Sequence, residues 1–258
     1  MSDCLIVAWK EIRDHARDTR SLMSSALYAL MGPLVILLVS ASERAADGGP
    51  RLLLSMMSVF TLVSAFAGGM NIAMDSTAGE RERRSLVPLL LNPTPRLHLI
   101  VGKWIGVTVF ALAGLAITLV GFTIVLESRA PSLLVEYAPA LSLWIVCGLI
   151  PLALFGAALD LLVSAMCRTA KEAHTRLSIL ILVPMVVGMF LVFFPDWIGR
   201  WWFAVPIVGQ QALIGIGLQG GSLSVLQSGV LGLLTTAAAA PALIMAARVL
   251  DRDEMLAG

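Results

Sequence analysis

Charge is scarce in this sequence. Only 14% of its 258 residues are Asp, Glu, Lys or Arg, and 58% are hydrophobic. The mean hydropathy is +0.89. Soluble domains carry about a quarter charged residues, so a soluble globular fold is excluded and a polytopic membrane protein is expected. A net charge of +1 offers no basic footprint for nucleic acid. Cysteine is as sparse: Cys4, Cys147 and Cys167 form no CxxC pair or disulfide framework and read as free thiols, buried or interfacial.

Signatures of chemistry are missing too. No GxxxxGK[ST] occurs, so the chain brings no phosphate-binding loop of its own. His15, His98 and His174 are isolated, there is no HExxH, and no His/Cys/Asp cluster has metal-ligand spacing. No Ser/His, paired-Asp or Glu/His constellation lies within an apolar run, which argues against an intramembrane enzyme. Cofactor, metal and catalytic residues are therefore expected to be absent from this chain.

Long charge-free runs are what the sequence does contain. A helix needs about 20 apolar residues to cross a bilayer. Residues 21–42, 52–74, 104–126, 137–159 (continuing past Asp160 to Cys167) and 177–195 qualify. A final run, 201–247, is too long for one span and holds Pro206, Gly209, Gln210, Gln211 and a Gln219-Gly220-Gly221-Ser222 cluster. It reads as a re-entrant or interfacial helical pair within an external region 196–224, then one span over 225–247. The expected fold is all-α, a single transmembrane domain over 1–258 with six transmembrane helices; two complete spans in the last run would make seven.

Six spans put both termini on one side. With that side cytoplasmic, 14 of the 18 Lys and Arg residues lie inside, and only Arg44, Arg51, Arg129 and Arg200 lie outside. This satisfies the positive-inside rule, which a seventh span would weaken. No cleavable signal peptide is expected, because the first twenty residues are charged and no cleavage pattern follows the first apolar run. Leu5, Trp9, Ile12 and Ala16 recur at helical spacing, with Lys10, Arg13, Asp14 and Arg17 on other faces. Residues 1–20 thus read as an amphipathic interfacial helix.

Asp160 is the one acidic residue within an apolar stretch, and such residues are functional candidates. The 31 residues of 137–167 make about 46 Å of helix against about 30 Å of hydrocarbon. The segment must tilt or protrude, so Asp160 is expected near the inner interface. Its role stays open between an interfacial or arginine-paired carboxylate and a group handling a proton or cation. Ser64, Gly68, Gly69, Asn71, Thr108, Thr118, Ser164 and the Gly102-x-x-x-Gly106 spacing read as close helix packing. Asn71 and Asp160 are retained as candidate pathway or interface positions.

The most elaborate polar segment is the cytoplasmic loop 75–103. Glu80, Arg81, Glu82, Arg83 and Arg84 alternate in charge, suiting a solvated helix end or a docking surface. Leu86, Leu89 and Leu90 can share one face of a short helix that Asn92-Pro93 stops. Residues 78–103, AGERERRSLVPLLLNPTPRLHLIVGK, resemble the AGE-R-x-x-(T/S)-L-x-x-LL-x-x-P-x-x-R-x-x-x-x-x-GK signature of ABC export permeases, in the NatB-like sodium-efflux branch. WKEIRDHARDTRSL resembles that family's elbow helix, and CRTAKEAHTRLSILILVPMV its cytoplasmic turn between spans four and five. PIVGQQALI and RVLDRDEMLAG resemble its re-entrant region and tail. The link ASERAADGGPR is short where many NatB-like permeases carry an external domain.

The resemblance implies the membrane subunit of an ATP-driven exporter in a bacterial or archaeal cytoplasmic membrane. Such a permease pairs with a second permease, here a homodimer, and docks two ATPase subunits that hold the ATP and Mg. It implies ATPase coupling by Glu80, Arg81, Glu82, Arg83, Arg84, Leu86, Leu89, Leu90 and Pro93. Arg168, Lys171 and Glu172 form a second cytoplasmic contact, and Lys10, Glu11 and Arg13 contribute from the elbow helix. The alternative is a mechanotransmission or membrane-anchor subunit that conducts no solute.

Overall fold

Charge-free runs fold as helices because a backbone in hydrocarbon must satisfy its own hydrogen bonds. The computed structural model describes residues 3–40, 49–85, 95–129, 131, 145–194, 197, 204–218 and 224–257. Among these residues there is no strand. The helices are α1 (Asp3–His15), α2 (Thr19–Ser40), α3 (Gly49–Met74), α4 (Arg96–Arg129), α5 (Ile150–Ala165), α6 (Ala170–Phe193), α7 (Val208–Leu218), α8 (Val225–Ala237) and α9 (Ala239–Ala257). Six segments are long and apolar enough to cross a membrane: Ser21–Ser40, Leu53–Glu82, Arg96–Arg129, Val146–Ala165, Ala170–Phe193 and Val225–Asp251. The protein is an all-α polytopic membrane protein, as its sequence leads one to expect.

Several helices run further than the charge-free windows. α3 does not stop at Met74. It continues through a π-helical turn, Asp75–Gly79, into a last turn, Glu80–Glu82. α4 begins at Arg96 rather than Trp104 and takes in His98 and Lys103. Its 34 residues make about 51 Å of helix, well beyond about 30 Å of hydrocarbon. The charges bounding the windows are therefore inside the helices. α6 likewise starts at Ala170, so much of the expected turn 168–176 is its first turns. The proposed start of the fourth span at Tyr137 lies outside the described residues.

The final run resolves into α7, only 11 residues long, and a broken span, α8 plus α9. The break at Ala238 has a local cause. Pro241 has no N–H to give the Ala237 carbonyl, so the ladder lapses there. α7 makes about 16 Å of helix, too short to cross. Its neighbours at 198–203 and 219–223 lie outside the described residues.

α3 is the hub, touching α2, α4, α5, α6 and α7. Its candidate span is 78% buried, whereas that of α6 is 22% buried, so α6 turns most of its apolar surface outward. α3 and α4 cross where Gly68 meets Gly114: a side chain at Gly114 would stand 3.0 Å from the Gly68 Cα. Such close approach of small residues is how helices associate without a hydrophobic driving force. Polar links stitch the bundle. Ser64 and Thr118 hydroxyls are 2.7 Å apart, Trp104 donates its indole N–H to the Leu154 carbonyl at 2.9 Å, and Gln211 donates to Ser58 at 2.8 Å.

Candidate functional site

α1 lies along the start of α4, and Gly102 and Gly106 set the distance. A side chain at Gly102 would meet Val7 Cβ at 2.7 Å and the Cys4 carbonyl at 2.8 Å; one at Gly106 would meet Glu11 Cβ at 3.0 Å. The Gly-x-x-x-Gly spacing thus docks the N-terminal helix rather than another span. Ala8, Glu11 and His15 are buried in this contact, while Leu5, Ile6 and Trp9 stand exposed. Leu5 and Trp9 of the expected apolar face stand outward, as an interfacial helix would have them, while a carboxylate, Glu11, points into the protein.

Lys103 explains the inward carboxylate. Its side chain is 0% exposed, and its ammonium donates to Glu11 Oε1 at 2.9 Å, Glu80 Oε2 at 2.8 Å and the Ser76 carbonyl at 2.6 Å. An ammonium has three donors, and all three are used. A buried charge is tolerated only when paired and fully hydrogen-bonded. Two further groups surround the cluster: Lys10 Nζ is 3.7 Å from Glu80 Oε1, and His15 Nδ1 is 3.8 Å from Glu11 Oε2. The π turn supplies the third acceptor. The Glu80 N–H reaches back to the Asp75 carbonyl instead of the Ser76 carbonyl that an α-helix would give it. The Ser76 carbonyl takes Lys103 instead. π turns recur at functional sites.

Beside this cluster, the ends of α3 and α5 meet the start of α6. Arg81 Nη1 donates to the Cys167 carbonyl at 2.6 Å. The Ala170 N–H donates to Glu82 Oε2 at 2.8 Å. Deeper in, the hydroxyls of Thr77 and Ser164 are bonded. Thr169 caps α6 by accepting the Glu172 N–H at 3.2 Å. Glu172 returns one oxygen to the Arg168 N–H at 3.0 Å and the other to Arg176 at 2.6 Å. This is a variant of the capping box, displaced by one residue from its usual reciprocal bond. Burial pushes the Cys167 thiol up from its ordinary range, against the opposing pull of the Arg176 cation.

The two segments singled out in sequence, 80–84 and 168–172, are thus neighbours. Glu82 and Glu172 are spent on internal backbone bonds, whereas Arg83, Arg84, Arg168 and Lys171 are exposed. Arg84 closes the turn at a left-handed φ of 55°. Arg13 is exposed on α1. Leu86, Leu89, Leu90 and Pro93 lie outside the described residues.

Two other predicted positions fall elsewhere. Asn71 donates to the Ser24 hydroxyl at 3.0 Å, linking α3 to α2. Asp160 is completely buried, and neither carboxylate oxygen has a hydrogen-bond partner among the described residues. The arginine-paired reading finds no arginine on this carboxylate among the described residues. Asp160 shares a face of α5 with Gly156, which packs on Ala65 and Phe66, and with Ser164, which bonds Thr77. That face is turned into the bundle. Lys103, Ser76 and His15 were missed as site residues. In sequence Lys103 is one cytoplasmic cation, the bound of a charge-free window and the end of the motif, although a lone Lys between Leu99-Ile100-Val101 and Trp104-Ile105 is a signal in itself.

Comparison with known proteins places these features in a family. The family of the description "ABC-2 family transporter protein" matches residues 5–198. The chain belongs to this family. The match runs from α1 through α6 and contains Lys103, Glu11, Glu80 and both neighbouring segments. The chain is also 31% identical over 169 residues to the ABC transporter permease protein NatB of Bacillus subtilis (strain 168), covering 63% of this chain and 44% of that protein. It spans less than half the length of that relative. As an ABC-2 family protein it is a multi-pass membrane subunit of an ABC transporter.

Proposed function

We propose that this ABC-2 protein is the membrane-spanning subunit of an ATP-driven exporter. Two copies pair as a homodimer in a bacterial or archaeal cytoplasmic membrane, with both termini inside. Each docks a separate ATPase subunit that holds ATP and Mg. The observation that carries this reading is the convergence of 80–84 and 168–172 on one basic face, fixed from below by the Lys103 cluster. A docked ATPase that closes on ATP would press on that face. Because α3 is the hub of the bundle, movement of its end reaches α2, α4, α5 and α6 together. α1 acts as the elbow helix, its exposed Leu5, Ile6 and Trp9 facing lipid at the interface, and α7 is the re-entrant helix.

The test is co-expression with candidate ABC ATPase subunits from the same genome. The pair should co-purify, and ATP should drive solute out of the cytoplasmic compartment in reconstituted vesicles. Conformational change on ATP with no flux of any solute would instead favour a mechanotransmission subunit.

A further inference from the structure

We infer that Lys103 is a positioning residue for the coupling movement, yoking α1 to the end of α3 so that the two move as one body. The inference rests on the proposed ATPase docking and adds a member to it. The observations are independent of that docking. Lys103 sits on α4, yet its ammonium is held by Glu11 of α1 and by Glu80 and the Ser76 carbonyl at the end of α3. Without it, Glu11 and Glu80 would be two carboxylates facing one buried point, and like charges there repel. With it, the three elements share one ion cluster centred on a fully buried ammonium.

A buried cluster of this kind contributes little net stability over apolar packing, but it fixes geometry. α1 packs closely along α4, where a side chain at Gly102 or Gly106 would find no room. Those contacts set a distance; the Lys103 bonds set a register. Lys10 adds a second tie from α1 to Glu80 at 3.7 Å. A pull on 80–82 is therefore transmitted to α1 through Lys103. α1 leads into α2 with three residues between His15 and Thr19, so the first span receives the movement by a route that bypasses the core of α3.

Hydrogen–deuterium exchange on the full permease–ATPase complex, with and without vanadate-trapped nucleotide, tests this. In the wild-type complex, trapping should change the protection of both 3–15 and 79–85. In Lys10→Ala/Glu11→Ala, which removes both ties from α1 while Lys103 keeps Glu80 and the Ser76 carbonyl, the response at 79–85 should persist and that at 3–15 should be lost. The combination Lys10→Gln, Lys103→Met, Glu11→Gln, Glu80→Gln removes the charges of all four residues together, and should show the same loss at 3–15. A wild-type α1 that ignores nucleotide, or an α1 that responds as strongly in Lys10→Ala/Glu11→Ala as in wild type, overturns the inference. Failure of the ATPase to co-purify with the wild-type chain overturns the docking reading instead, and is seen before any exchange is measured.

Discussion

Glu80 and Lys103 stand 23 residues apart in sequence and 2.8 Å apart in space. They are two ends of one polar interval, and their contact turns that interval from a loop between spans into a closed structure. Glu11 joins them from a position 92 residues before Lys103. The cluster therefore ties the N-terminal helix, the end of the hub helix and the start of α4 at a single nitrogen.

Breaking that nitrogen's bonds should be severe. Lys103→Met alone leaves the buried Glu11 facing the half-buried Glu80 with no cation between them. Removing one partner of a buried ion pair is destabilising by about 3–5 kcal/mol. Thermal unfolding in detergent should show a large fall for Lys103→Met, and recovery of most of it when Glu11→Gln and Glu80→Gln are added.

Gly102 should tolerate no side chain. Gly102→Val would drive branched carbons into Val7 and the Cys4 carbonyl, and overpacking of this kind costs about 1–3 kcal/mol. The expected outcome is a loosened α1, seen as faster proteolysis within residues 3–15. Gly229, where nothing lies within 4 Å of an added Cβ, should accept alanine with no such change.

Thr169→Ala should fray the start of α6. The lost cap is worth about 1 kcal/mol, and Glu172 loses its reciprocal role. Faster amide exchange at 170–173 is the check, with Thr169→Ser restoring protection.

Cys167 should resist alkylation. It is fully buried, its thiol donates to the Val163 carbonyl at 3.2 Å, and burial raises its pKa. A raised thiol pKa means that the folded chain holds its proton after the unfolded chain has lost it. Stability from this group is thus intact below the unfolded value and falls as pH rises from there through the raised folded one. Mass-resolved alkylation at neutral pH should modify Cys4 before Cys167, and the lag should shrink on denaturation or at strongly alkaline pH.

Asp160→Leu should leave the fold as stable as before, or more so. A buried polar group without a partner is a net penalty, about 1–3 kcal/mol by mutational measure. A large loss of thermal stability in Asp160→Leu would mean that the carboxyl has a structural partner after all. Unchanged stability with lost transport would assign it to the pathway.

The spans were legible because hydrocarbon demands long charge-free runs, and six of them were counted correctly. Their ends were not. Asp75 and Lys103 bound the charge-free windows, since a charge in a helix ordinarily marks water. Here the charges neutralise one another across helices, so α3 and α4 continue through them. The inward face of α1 was not legible either. Leu5 and Trp9 mark its outward apolar face, whereas Glu11 turns inward to a buried cation. No periodicity in one helix can report a partner 92 residues away. Family resemblance singled out 80–84 and 168–172 separately as cytoplasmic contacts; the bonds from Arg81 and to Glu82 make them neighbours.

The central claim is that the exposed cations beside this cluster receive an ATPase. The most direct measurement is the affinity of the purified ATPase subunit for the chain in nanodiscs, with Arg84→Glu and Lys171→Glu introduced together. Neither residue serves an internal bond described above, so the double variant should keep its thermal stability, bind the ATPase at least about tenfold more weakly, as two reversed interface charges imply, and lose ATP-driven transport. Binding and transport equal to wild type would contradict the account.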